Sequence, residues 1–174
     1  CIQLANVNLS KGLTYLGESA FEKCISLTEI TIPKSLDEGS CSSYLIPENG
    51  IFNGSGLSTV NWEEGTTQIA SYLFLGCKSL QKVEIPESVT VIESGAFAYT
   101  GLVEISIPSA VTEIGNYAFL SCTELEKAKL PEQLVLVPYK LFSECSTLKA
   151  IAIPKSVSVI DDYAFYECTA LEEI

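Results

Sequence analysis

The sequence predicts an α/β, β-rich solenoid of about seven to eight coils, each 22–23 residues long and each with one short parallel strand on the concave face. Three observations predict it. All seven phenylalanines (Phe21, Phe52, Phe74, Phe97, Phe119, Phe142 and Phe165) fall on one phase, with gaps of 31, 22, 23, 22, 23 and 23 residues. Six of the seven cysteines fall on a second phase, and five of the seven prolines on a third. A solenoid with one Phe per coil accounts for all three.

The positions within a coil can be justified in chain order. Cysteine opens it, at Cys1, Cys24, Cys77, Cys122, Cys145 and Cys168. An apolar triplet of spacing L-x-x-I-x-I follows, as in Leu27, Ile30, Ile32 and in Leu102, Ile105, Ile107. Its alternation has the period of a short strand with one buried face. Proline then ends the strand at Pro33, Pro86, Pro108, Pro131 and Pro154, because it has no N–H to give to a ladder. A second apolar pair, as in Val89–Ile92 or Val157–Ile160, predicts a second extended segment on the far wall. Gly, Asn, Asp, Ser and Tyr ahead of Ala-Phe predict a turn into a short helical piece, with Phe plugging the interior. No coil buries its apolar side alone; stacking the coils does.

Two coils are one residue short, Phe52 to Phe74 and Phe97 to Phe119. They read Ser55-Gly56-Leu57 and Thr100-Gly101-Leu102 in place of C-x-x-L. A small hydroxyl residue followed by Gly predicts a tighter turn there. One coil is long: 20 residues separate Ile32 from Phe52, against 12 from Ile85 to Phe97. The extra residues fall within 36–51 and read as a loop insertion, which costs little to lengthen. Trp62, the single tryptophan, takes an inward strand position and reads as core filling beneath the enlarged coil.

Composition narrows the function. Apolar residues make up 47% and charged residues 18% of the 174, a globular balance in one domain, 1–174. The net charge of −12 repels phosphate backbones and anionic headgroups, so neither nucleic acid nor direct membrane contact is expected. No apolar run approaches the roughly 18 residues that span a bilayer, and no basic-then-apolar leader opens the chain. There are no histidines, which removes the commonest general base and a major metal ligand. No Ser/His, Cys/His or metal constellation is present, so no enzyme activity, cofactor or metal is expected.

The segments 85–92, IPESVTVI, and 107–114, IPSAVTEI, carry a resemblance. With the C-x-x-L openings and Ala-Phe corners, they make the chain similar to BspA-like (Treponema-type) leucine-rich repeats. The match runs through the chain and departs at 36–51, and at Ser10 and Glu63, where Pro is absent. The resemblance implies a right-handed leucine-rich-repeat superhelix, here as a fragment of a longer repeat array. It implies a non-catalytic protein-binding or adhesion module of a bacterial cell-surface or secreted protein, its partner a protein or host-surface macromolecule. A structural spacer that presents another domain is the alternative, and part of an enzyme a remote one.

Three features are candidates for function. The outward strand positions form a possible protein-binding concave face: Glu29, Thr31, Thr59, Asn61, Lys82, Glu84, Glu104, Ser106, Lys127 and Lys129. Lys82, Glu104 and Lys127 would sit side by side, as a charge ladder supporting strand pairing or as part of a polar binding surface. The insertion loop, with Asp37, Glu38, Cys41 and Tyr44, is the second candidate. The cysteine ladder is the third. It reads as a stack of small buried hydrophobes; its linear arrangement suits neither disulfides nor a zinc site.

Overall fold

A computed structural model of the chain describes residues 1–36 and 49–174. The insertion candidates Asp37, Glu38, Cys41 and Tyr44 lie outside the described residues. The coils stack as the periodicity predicts. Six consecutive ring pairs join the seven phenylalanines into one column, with centroids 5.3–6.2 Å apart and planes within 20° of parallel. Offset stacking at that spacing suits the ring quadrupoles. Phe52, Phe74, Phe97, Phe119 and Phe142 have no exposed surface, and full burial of each contributes about 1.5–3 kcal/mol.

All strand pairs are parallel. The concave wall holds β1 (Glu29–Ile32) beside β2 (Thr59–Trp62), then β5 (Glu104–Ser106), β7 (Lys127–Lys129) and β9 (Ala150–Ala152) in a second block. The far wall holds β3 (Gln68–Ile69), β4 (Val91–Ile92) and β6 (Glu113–Ile114), then β8 (Leu136–Val137) beside β10 (Val159–Ile160). The second extended segment is therefore present. Proline acts where expected, with β5, β7 and β9 each ending two residues before Pro108, Pro131 and Pro154. Each of these prolines also accepts a turn bond from the residue three on, as Val111 N–H does to Pro108 at 3.1 Å. Ser10 and Glu63 close the same turn without proline, so proline reinforces a turn that the coil makes anyway.

Several expectations need correction. First, the described residues contain no helix. The Ala-Phe corner is a pair of tight turns, with left-handed residues two before and two after Phe. Tyr72, Gly95, Tyr117, Lys140 and Tyr163 precede it with φ of 54–63°; Gly54, Gly76, Tyr99, Ser121 and Glu144 follow it with φ of 52–76°. A left-handed residue every fourth position breaks the run of right-handed φ that a helix needs.

Second, the concave wall is not one strand per coil. Residues 82–85 lie outside any strand. Trp62 of the preceding coil meets them. Its indole is half-buried and edge-on to Phe74, at 5.9 Å and 87°, and its Nε1–H donates to the Glu84 carbonyl at 2.9 Å. That carbonyl takes a side-chain donor, and the seam onward to β5 is joined by Val103 N–H to the Gln81 carbonyl (3.0 Å).

The two short coils also work differently from the sequence reading. Neither Gly56 nor Gly101 has a left-handed φ. A Cβ at Gly56 would lie 2.2 Å from the Ile25 carbonyl oxygen, and one at Gly101 would lie 2.1 Å from that of Lys78. Glycine is needed because the shortened turn presses against the previous coil.

Hydroxyl columns tie coil to coil. Ser156 Oγ donates to the Glu132 and Leu134 carbonyls, and Thr147 Oγ1 to those of Thr123 and Leu125, all at 2.7–3.0 Å. Ser143 is the exception: its hydroxyl is fully buried and has no partner. Ser143→Ala is therefore expected to raise stability by about 1 kcal/mol, since it removes an unsatisfied buried group. A higher urea midpoint at constant m-value would show it.

Candidate functional site

All ten predicted face residues are exposed, and their inward neighbours are buried or half-buried. The strand register aligns them in columns. Glu104, Lys127 and Ala150 are direct partners, as are Ser106, Lys129 and Ala152. Glu29 pairs with Thr59, and Thr31 with Asn61; Asn61 Nδ2 also donates to Glu29 Oε1 at 2.7 Å.

A groove of about 550 Å³ opens on this face where the ladder is interrupted. Lys82, Glu84, Glu104, Ser106, Lys127 and Lys129 line it. The sequence reading thus brings six of its ten face residues to one groove. Glu29, Thr31, Thr59 and Asn61 continue the face on β1 and β2, outside the groove. Glu87 and Pro108 also line it and were not anticipated; their phase at the strand-ending turn is the signal that would have found them.

The charge ladder takes another form. Lys82 pairs with Glu84 of its own coil at 3.1 Å. Among the described residues no ion pair joins Glu104 to Lys82 or Lys127, and neither Lys127 nor Lys129 is ion-paired. Among the described residues the groove thus offers two cations without ion pairs, three carboxylates, one hydroxyl and an apolar floor. That set suits recognition of a polar macromolecular surface.

The cysteine column is internal. Cys24, Cys77, Cys122 and Cys145 are buried, Cys168 is half-buried, and the six described thiols are free. They are more than small hydrophobes. Cys77, Cys122, Cys145 and Cys168 each direct Sγ at the Phe carbonyl of the preceding coil, at 3.0–3.4 Å. The thiol is a weak donor filling a slot that needs one. Thr100, in a short coil, occupies the same column, bonded to the Phe97 carbonyl (2.8 Å) and 3.2 Å from Cys122 Sγ.

Burial pushes the Cys77 thiol up to about 12 and the Cys168 thiol to about 11. Cys145 is raised by its contact with Cys122 and by burial. Because the folded value of Cys77 lies above the ordinary 9.0, its contribution to stability is full below pH 9 and is lost as pH rises toward 12. Alkylation mapped by peptide mass at pH 8 is expected to label Cys1 fast, and Cys77, Cys122 and Cys145 only on unfolding.

The sequence matches the family model described as a BspA type leucine-rich repeat region, in six copies over residues 1–44 and 46–172. Among solved structures it is similar to a leucine-rich repeat protein from Bacteroides ovatus, at 33% identity and TM-score 0.77, covering 92% of this chain and 40% of that one. It is similar to the T. pallidum leucine-rich repeat protein at 28% identity and TM-score 0.74, covering 91% and 72%. A leucine-rich repeat protein from Eubacterium ventriosum shares the fold at 18% identity and TM-score 0.56, covering 94% and 70%. The chain therefore spans about 40% of the length of the Bacteroides ovatus protein. No curated protein matches it.

Proposed function

Because the chain belongs to the BspA-type leucine-rich repeat family, we propose that it is a non-catalytic adhesion module of a bacterial cell-surface or secreted protein. It binds a protein or host-surface macromolecule through its concave face. Leucine-rich repeat proteins are in general protein-interaction modules, and the family is typically non-catalytic. The observation that carries the reading for this chain is the groove at 82–129, where Lys127 and Lys129 are exposed and, among the described residues, without ion pairs.

The test is adherence of the purified protein to immobilised host matrix proteins and to epithelial cells, compared with Lys127→Glu/Lys129→Glu. Both positions are exposed, so the variant is expected to fold normally and to lose most of its binding. Wild-type protein that adheres to none of these surfaces, or a folded variant that adheres equally, contradicts the proposal. A spacer is the second reading, favoured by the unbroken phenylalanine column. It predicts that removing two whole coils leaves the function of the parent protein intact.

A further inference from the structure

The one-residue deletion at Thr100-Gly101 leaves a notch of about 520 Å³ on a turn edge of the solenoid. Its walls are Lys78, Tyr99, Ser121, Thr123, Glu124 and Glu144, drawn from four successive coils. We infer that this notch is a carbohydrate-binding site that takes a neutral pyranose, a surface separate from the concave groove and independent of the reading proposed for it.

The chemistry is that of a polyol site. Tyr99, 41% exposed on a left-handed backbone, lines the notch, and an exposed aromatic ring is a surface on which the C–H side of a sugar can stack. Glu124 and Glu144 carry carboxylate oxygens that accept from hydroxyl groups, Thr123 both donates and accepts, and Lys78 donates. Ser121, almost buried, donates to Glu144 Oε2 and so fixes that carboxylate. The volume lies within the range of small-ligand clefts. Two carboxylates disfavour an anionic guest, and Lys78 offsets part of their pull on a cationic one.

The fold itself supplies the comparison. The same deletion occurs at Ser55-Gly56, where Gly56 meets the Ile25 carbonyl as Gly101 meets that of Lys78. There, Gly54, Gly76, Ser79 and Tyr99 stand at the places of Tyr99, Ser121, Glu124 and Glu144. The shortened turn therefore does not require an aromatic rim or carboxylates; only one of the two carries them together.

Saturation-transfer NMR of the protein with galactose, glucose, mannose and N-acetylglucosamine, each in large excess, tests the inference. Tyr99→Gly is the decisive variant, because φ is already 57° and Gly54 and Gly76 hold the equivalent positions. Tyr163→Gly, at another exposed left-handed tyrosine outside the notch, is the control. Transfer to at least one sugar is expected in wild type and control, weakened about tenfold or more in Tyr99→Gly and in Glu124→Gln/Glu144→Gln. No transfer to any of the sugars overturns the inference, as does equal loss in the control. Binding of an arginine-rich peptide that disappears in Tyr99→Gly, with no sugar bound, gives the notch to a cationic protein segment and also overturns it.

Discussion

Phe119→Ala is expected to destabilise the protein by about 3–5 kcal/mol, the range for a buried aromatic cut to alanine. Phe119 is fully buried, stacked on Phe97 at 5.6 Å and 3° and on Phe142 at 5.5 Å and 11°. Truncation loses the transfer energy of the ring and two stacking contacts. It also leaves a cavity at mid-column that the rings on either side are too rigid to fill. Because each coil touches only its neighbours, the loss falls on a single interface and weakens the coupling between the two halves. Lys129→Ala, on an exposed strand position, is the control and is expected to change stability by no more than about 0.5 kcal/mol. Denaturant melts read both. Equal, small shifts would mean that the Phe column does not hold the coils together.

Gly101→Ala is expected to cost about 3 kcal/mol, at the upper end of the overpacking range. The added methyl would lie 2.1 Å from a backbone oxygen, that of Lys78, which cannot swing aside as a side chain can. Relief requires the two coils to part, stretching the bond from Gly101 N–H to the Cys77 carbonyl, already 3.4 Å long. Gly12→Ala is the matched control: a Cβ there meets nothing within 4 Å. A thermal melt of Gly101→Ala that matches the control would mean that the short coil needs no close approach.

These effects rest on features that were unequally legible. Phase was fully legible, because a 22–23-residue repeat puts Phe, Cys and the strand alternation at fixed positions, and stacking requires each to face inward. The exposed columns on β5, β7 and β9 followed from the same alternation. The left-handed residues around Phe were not legible: Tyr72, Tyr117, Lys140 and Glu144 have no intrinsic preference for positive φ, and tertiary stacking imposes it. The ladder interruption at 82–85 was hidden as well. Beside it Trp62, one coil away, sets a side-chain N–H on the Glu84 carbonyl, a contact that no periodicity encodes. The notch at Gly101 escaped for a related reason. The deletion was visible, but Lys78, Tyr99, Ser121 and Glu144 meet only once four coils are stacked in register.

The central claim is that the concave face binds and the far wall supports. Hydrogen–deuterium exchange of the protein, alone and with whichever matrix protein or cell-surface fraction the adherence assay identifies, tests this most directly. The account predicts slowed exchange in β5, β7 and the 82–87 segment, where the interrupted ladder leaves backbone amides open, and unchanged exchange in β3, β4 and β6. Protection confined to the far wall, with the concave segments exchanging as in the protein alone, would contradict it.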